Sequence, residues 1–254
     1  MNRLAAIQAV RTKLRSGGST VGGWMQIPHA SVAEIMGEAG YDWVALDLEH
    51  GSIAVHQLPD LCRALELGST LPLVRLAQGH AKDCKQALDA GAGGVIVPMV
   101  ESAEQLAGIR DVCRWPPAGT RGVGFSRANL FGAHFDAYVL EAQAPLLVAM
   151  IEHQRAVQAL PAIVEVEGID AILIGPYDLS ASLGRTADLT HPEFEALVAR
   201  ILEITNGAGI ACGVHVVAPS PEELQRRRAA GFRFLAYGID SVILQQGAAR
   251  PPTP

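Results

Sequence analysis

Eight short apolar runs alternate with amphipathic stretches along the 254 residues of this chain, and that alternation restricts the fold more than any other feature. The runs are Thr20–Met25, Trp43–Asp47, Pro72–Arg75, Gly94–Val97, Leu146–Glu152, Ala171–Gly175, Gly209–Val214 and Phe232–Ala236. Within each run the apolar residues are consecutive. Parallel strands covered on both faces have that pattern, whereas strands of a half-exposed antiparallel sheet alternate. Helical patterns fill the gaps at Ser31–Ala39, Val55–Glu66, Ala81–Ala90, Ser102–Cys113, Ala156–Val166, Pro192–Ala208 and Pro221–Ala230. Ser31-Val-Ala-Glu34 and Ser220-Pro-Glu-Glu223 read as helix starts, and Gly37/Gly40, Gly91, Gly209 and Gly231 as helix stops. Eight strand–helix units in a chain close to the ~250 residues of a closed (β/α)₈ barrel predict that α/β fold. A single barrel domain then spans residues 1–254. An open doubly wound sheet is the alternative.

Composition narrows the function classes. Hydrophobic residues make up 49% and charged residues 18%, which suits a large core and excludes a disordered chain. The net charge is −6, and the only basic run, Arg226–Arg228, follows Glu222 and Glu223 in a helical pattern. That run reads as a solvated helix face, so no nucleic-acid partner is expected. No apolar run reaches the ~18 residues of a membrane span, and Met1–Ser16 lacks the apolar core of a signal peptide. Cys62, Cys84, Cys113 and Cys212 form no C-x-x-C pair and read as small buried apolar residues in a reducing compartment. A soluble, cytoplasmic protein is the expectation. Two segments break the rhythm. Trp115–Tyr138, rich in Gly, Arg and aromatics, reads as a lid or binding loop, and Ala249–Pro254, with three prolines, as a fraying tail.

In a barrel the chemistry lies at the C-terminal ends of the strands. The second run ends in Asp47-Leu-Glu49-His50-Gly51, the third in Arg75, the fifth in Glu152-His153, and the sixth in Gly175-Pro176-Tyr177-Asp178. Glu152 and Asp178, on adjacent strands, suit a hard octahedral ion that keeps its waters, Mg²⁺ or Mn²⁺ ahead of a structural zinc. A metal-free acid/base pair, or plain helix caps, is the other reading, and Asp178 in particular could cap the helix that follows. His50 is a candidate base, because an imidazole can accept a proton near neutral pH; a histidine bonded to a loop backbone is the other reading. Arg75 ends a buried strand and cannot be left unpaired. It either bridges to Asp47 or Glu49, binds an anion, or does both. The remaining histidines (His56, His80, His134, His153, His191, His215) are taken as structural or exposed.

Taken together, Asp47-Leu-Glu49-His50-Gly51, Leu73-Val-Arg75, Leu88-Asp89-Ala-Gly91-Ala with Val97-Pro-Met-Val, Pro117-Ala-Gly119-Thr-Arg121-Gly122, Ile151-Glu152 and Ile174-Gly175-Pro-Tyr-Asp178-Leu-Ser180 resemble the HpcH/HpaI family of class II pyruvate aldolases. The resemblance runs from about residue 20 to 240. It implies a barrel of the phosphoenolpyruvate/pyruvate-lyase kind that cleaves a 4-hydroxy-2-oxo acid to pyruvate and an aldehyde. Glu152 and Asp178 would be metal ligands (Mg²⁺ or Mn²⁺, with Co²⁺ or Zn²⁺ as alternatives), His50 the base and Arg75 the group that stabilises the enolate. Asp89 would raise the basicity of the histidine, and Gly175, Pro176 and Tyr177 would touch substrate beside Asp178. It also implies a homohexamer built from dimers, with a C-terminal helix exchanged between partners.

Asp89 falls at the end of a helix, on the opposite side of the barrel from His50 of the same chain. It therefore either serves a neighbouring subunit or is structural. Met150 stands where better-known members carry a glutamine, and a thioether donates no hydrogen bond. Arg121 and Arg127 are candidates for holding a carboxylate on the aldehyde, with surface or interface salt bridges as the other reading. No lysine stands at a strand end, which argues against Schiff-base chemistry. The alternatives are a related metal-enolate lyase or synthase, citrate-synthase-like or acting on acyl-CoA, and a barrel kept only for binding.

Overall fold

The structure, a computed structural model, describes residues 1–248, so the tail at 249–254 lies outside it. Eight strands, β1 (Thr20–Met25), β2 (Trp43–Asp47), β3 (Leu71–Arg75), β4 (Gly94–Val97), β5 (Leu146–Ile151), β6 (Ala171–Ile174), β7 (Ala211–Val216) and β8 (Phe234–Ile239), close into a barrel in sequence order. Every neighbouring pair is parallel, including β1 with β8. The helices are α1 (Arg3–Arg15), α2 (Ala30–Glu38), α3 (Leu58–Leu67), α4 (Ala81–Asp89), α5 (Ala103–Cys113), α6 (Phe135–Ala142), α7 (Gln154–Ile163), α8 (Pro176–Ala181), α9 (Pro192–Gly207), α10 (Pro221–Ala229) and α11 (Asp240–Gly247). This is the (β/α)₈ barrel that the apolar runs predict.

The consecutive apolar residues divide by parity. Alternate residues, such as Ala45, Leu73, Ile96, Val148, Leu173 and Ala236, point into the barrel. Their neighbours, such as Leu46, Val74, Val95, Ala149, Ile172 and Leu235, pack under the helices. Burial on both faces is why the runs show no polar alternation. Helix α1 closes the N-terminal end: Ile7, Val10 and Leu14 join Trp43, Leu71, Leu146 and Phe234, with the Trp43 and Phe234 rings stacked at 4.3 Å.

Several boundaries differ from the sequence reading. Strands β7 and β8 start two residues later than expected, at Ala211 and Phe234. The left-handed turn at Gly209 (φ +72°) and the bond from Ile210 N–H back to Thr205 carry the end of α9 further than hydropathy suggests. Helix α2 is capped by His29, whose Nδ1 accepts from Ser31 N–H at 3.2 Å, rather than by Ser31. Ser220 does cap α10. That helix buries no side chain, and Arg226 and Arg227 pair with Glu223, the solvated face expected of the basic run. All four cysteines are buried and free. Among the described residues no helix is long and apolar enough to cross a membrane.

Candidate active site

The inward-facing parity that fills the barrel with aliphatic residues changes character at the C-terminal end. There it delivers Trp24, Asp47, Arg75, Met150, Glu152 and His215 to one pocket, joined by His50, Gln26 and the Gly175–Asp178 turn. The structure thus brings together His50, Arg75, Glu152, Asp178, Gly175, Pro176, Tyr177, Asp47 and Met150, with Glu49 bonded to Arg75 at the rim.

Asp47 organises this mouth. Its Oδ1 accepts from Arg75 Nε at 2.8 Å and from the backbone N–H groups of Glu49 at 2.9 Å and His50 at 3.1 Å. Its Oδ2 accepts from Arg75 Nη2 at 2.9 Å, Trp24 Nε1 at 3.1 Å and Gln26 Nε2 at 3.2 Å. Burial alone would raise the Asp47 carboxyl; the hydrogen bonds and charge of Arg75 outweigh it and hold the group well below the usual carboxylate range. Arg75 lies over the Trp24 ring at 5.6 Å and also bonds Glu49. Both readings of its pairing hold together: it bridges to Asp47 and to Glu49. The two backbone bonds to Asp47 fold the turn that carries His50, which is exposed at the mouth.

Glu152 sits across the mouth and is 4% exposed. Its Oε2 accepts from Met99 N–H at 2.8 Å. Gly175 lies so close that a Cβ there would fall 2.3 Å from Glu152 Oε1, so the turn after β6 needs glycine to admit the carboxylate. Burial, with the charges of Glu49 and Asp178 added, pushes the Glu152 carboxyl up to about 7, against the pull of Met99 N–H and Arg75. Asp178, in the first turn of α8, is exposed to the pocket and forms no side-chain bond among the described residues, so it does not act as a helix cap.

These two carboxylates fit a divalent ion. Glu152 is buried beside like charges with no cation bonded to it, and Asp178 is free to turn toward it. A site with few protein ligands suits an octahedral ion that keeps water or takes substrate oxygens. Among the described residues no three His, Cys, Asp or Glu side chains group as a metal cage, which disfavours a structural zinc.

Three candidate residues lie elsewhere. Asp89 ends α4, at the N-terminal face of the barrel, in a cleft with Arg63, Lys85 and Phe131. Arg121 and Arg127 belong to the segment between α5 and β5, which also lies at the N-terminal face. Arg121 is buried against Trp115 and Tyr138 and donates to Tyr138 Oη at 2.9 Å, while Arg127 pairs with Glu66. Neither reaches the mouth of its own chain, so Trp115–Tyr138 is no lid over that mouth.

From sequence His215 has only a structural or exposed role, and Trp24 none. Their rings pack at 4.9 Å on the pocket floor, and His215 Nε2 is buried without a partner. Burial pushes the His215 imidazole down to about 4; a backbone hydrogen bond with Gly238 opposes this, and the charge of Arg75 adds to it. The signal was available, since both residues keep the inward parity of their strands.

A parallel barrel whose C-terminal mouth carries paired carboxylates beside an arginine and a histidine has the layout of a barrel enzyme. Comparison with known proteins makes the assignment specific: residues 21–246 match the family described as HpcH/HpaI aldolase/citrate lyase, and the chain belongs to it. It is 37% identical over 244 residues to the hydroxypyruvate/pyruvate aldolase of Roseobacter denitrificans, covering 94% of each chain. It is 38% identical over 233 residues to a 2-keto-3-deoxy-L-rhamnonate aldolase of Salmonella gallinarum, covering 91% of this chain and 86% of the other. A crystal structure of an HpcH/HpaI aldolase/citrate lyase family protein from Burkholderia cenocepacia superposes with a TM-score of 0.88 at 31% identity, covering 94% of this chain and 95% of that one.

Proposed function

We propose that this protein is a divalent-metal-dependent aldolase that cleaves a 4-hydroxy-2-oxo acid to pyruvate, or a related 2-oxo acid, and an aldehyde. The observation that carries the reading is Glu152: a buried carboxyl that no Lys or Arg side chain bonds among the described residues, beside Asp178 and facing the Arg75–Asp47 pair in one mouth. A divalent cation, Mg²⁺ or Mn²⁺, held by Glu152 and Asp178 supplies the positive charge that a pyruvate enolate needs. Arg75, fixed by Asp47 and Glu49, presents its guanidinium to the same developing charge. His50 takes the proton of the C4 hydroxyl; the C3–C4 bond breaks, its electron pair passes into the enolate, and the aldehyde departs. A proton returned to C3 gives the pyruvate methyl. The backbone of Gly175–Tyr177, at the start of α8, lines the donor subsite.

Asp89 serves in this scheme across a subunit boundary, raising the basicity of His50 in a neighbouring copy. Its cleft is lined by the exposed Phe131, and Val123, Phe125 and Leu130 of the same segment are exposed too, apolar exposure of the kind that marks an interface. The reading is therefore a homo-oligomer, with a hexamer built from dimers as the expected form. Mixed oligomers of His50→Ala and Asp89→Asn chains test it: random pairing regenerates roughly a quarter of the sites, so activity appears that neither homo-oligomer has. Mixed oligomers as inactive as the parents place Asp89 outside the chemistry. Turnover with and without CoA esters separates the aldolase reading from that of an acyl-CoA lyase.

The aldehyde-independent test is exchange of the pyruvate methyl protons in D₂O, followed by NMR with Mn²⁺ and then with EDTA. Exchange that requires metal is expected, and His50→Ala should slow it on the order of a hundredfold, the lower range for general-base removal. Exchange that survives EDTA contradicts the roles of Glu152 and Asp178.

A further inference from the structure

The two carboxylates of the mouth are not held alike. Glu152 accepts from Met99 N–H at 2.8 Å, and Gln105 Nε2 in turn holds the Met99 carbonyl at 3.1 Å. Asp178 forms no side-chain bond among the described residues, so its place is that of the helix carrying it. Helix α8 has six residues, far below the ~12–15 at which a helix begins to persist alone, so its anchors fix it. At its start Gly175 N–H donates to Ile151 O at 3.2 Å, and in its middle Leu179 is fully buried. At its end the anchor is Gln154, which follows Glu152 and His153 in the chain. Its N–H donates to Ser182 Oγ at 3.0 Å, and its side-chain Nε2 donates to the Ser182 carbonyl at 2.7 Å. Among the described residues no other side chain from outside the segment 175–188 hydrogen-bonds to this helix or its cap. Ser182 N–H donates to the Asp178 carbonyl at 2.8 Å, so the two residues lie one turn apart on one face of the helix. A clamp on Ser182 therefore holds the face that bears Asp178.

We infer that Gln154 is a positioning residue that sets the spacing of Glu152 and Asp178, and through it the affinity of the mouth for a divalent cation. The inference rests on the reading of that pair as metal ligands and adds the residue that keeps them together. Gln154 opens α7, where a backbone N–H has no partner within its own helix and is free to bond Ser182. The packing of Leu179 is non-directional and lets α8 pivot about it. The hydrogen bonds to Ser182 have preferred angles and remove that freedom. Groups that orient metal ligands without touching the metal typically carry ~10–100-fold of its affinity.

Mn²⁺ binding to the full chain, followed by the EPR signal of the free ion, tests it without turnover. Gln154→Met keeps the length of the side chain but cannot donate to Ser182. Its Kd for Mn²⁺ should rise about tenfold or more. Its metal-free urea midpoint should move by less than about 1 M, the effect of losing one partly exposed hydrogen bond. Ser182→Ala removes the acceptor of the Gln154 N–H and leaves the carbonyl bond, so its Kd should rise less, about threefold. A Gln154→Met protein that binds Mn²⁺ like the wild type overturns the inference. Weaker binding that comes with a larger fall in the urea midpoint also overturns it, because that marks a general loosening. If Gln154→Met does not fold, Ser182→Ala decides, and a wild-type Kd there counts against the clamp. Glu152→Gln separates the two layers. Where the wild type binds Mn²⁺ and Glu152→Gln does not, an unaffected Gln154→Met sinks the positioning role alone. Equal binding by wild type and Glu152→Gln, or none by either, sinks the metal reading and this inference with it.

Discussion

Arg75→Met is expected to lower the free energy of unfolding by about 3–5 kcal/mol, the usual cost of removing one partner from a buried ion pair. Arg75 is 4% exposed and Asp47 fully buried. Asp47 would keep its bonds to Trp24, Gln26 and two backbone N–H groups, but its charge would have no counter-ion. A surface pair would not behave this way, because water replaces the lost partner at little cost. The pH dependence gives a second reading. In the wild type the Asp47 carboxyl lies below its ordinary 3.8, so its contribution to stability is present above that value and is lost as pH falls toward the folded-state value. In Arg75→Met, burial dominates and raises the carboxyl, so stability should improve on acidification into the carboxylate range. The double variant Asp47→Asn/Arg75→Met, which removes both charges, should recover much of the loss. Urea denaturation of the three proteins from pH 3 to 8 decides the matter; a single variant within about 1 kcal/mol of wild type would show that the pair does not hold the mouth together.

The barrel and most of this mouth were legible in the sequence because one rule covers both. Runs buried on two faces must end somewhere, and the polar residues at those ends must share the open end of the barrel; Asp47, Arg75, Glu152 and Asp178 follow from that rule. His215, at the end of the seventh run, reads from sequence as structural or exposed, because bounds set two residues early for β7 hide its inward parity. Arg121 and Arg127 have two readings in the sequence, carboxylate binding or salt bridges, and chain order favours the second within one chain: a segment that leaves a helix and precedes a strand lies at the N-terminal face, where Arg127 pairs with Glu66. Asp89 is subject to the same order, and there the sequence reading already separated it from His50 of its own chain.

Glu152→Gln is expected to abolish metal-dependent methyl exchange, and its effect on stability should invert with pH and with metal. In metal-free protein the Glu152 carboxyl is raised from its ordinary 4.5 to about 7. A raised carboxyl stabilises the fold in its neutral form: the contribution is full below pH 4.5 and is lost as pH rises through about 7. At about 1.4 kcal/mol for each pH unit, that range corresponds to on the order of 3 kcal/mol. With EDTA present, the glutamine variant, which does not ionise, should therefore gain on the wild type as pH rises from 5 to 8 and be the more stable protein at pH 8. Adding Mn²⁺ at pH 8 should reverse the order, because an ion that binds only the folded wild-type site stabilises it by mass action, while the variant has lost half of its ligand pair. Thermal unfolding with and without Mn²⁺ reads both effects independently of turnover. If Mn²⁺ raises the melting temperature of both proteins equally, the ion binds somewhere other than Glu152, and the mouth must be read again as a metal-free acid/base site.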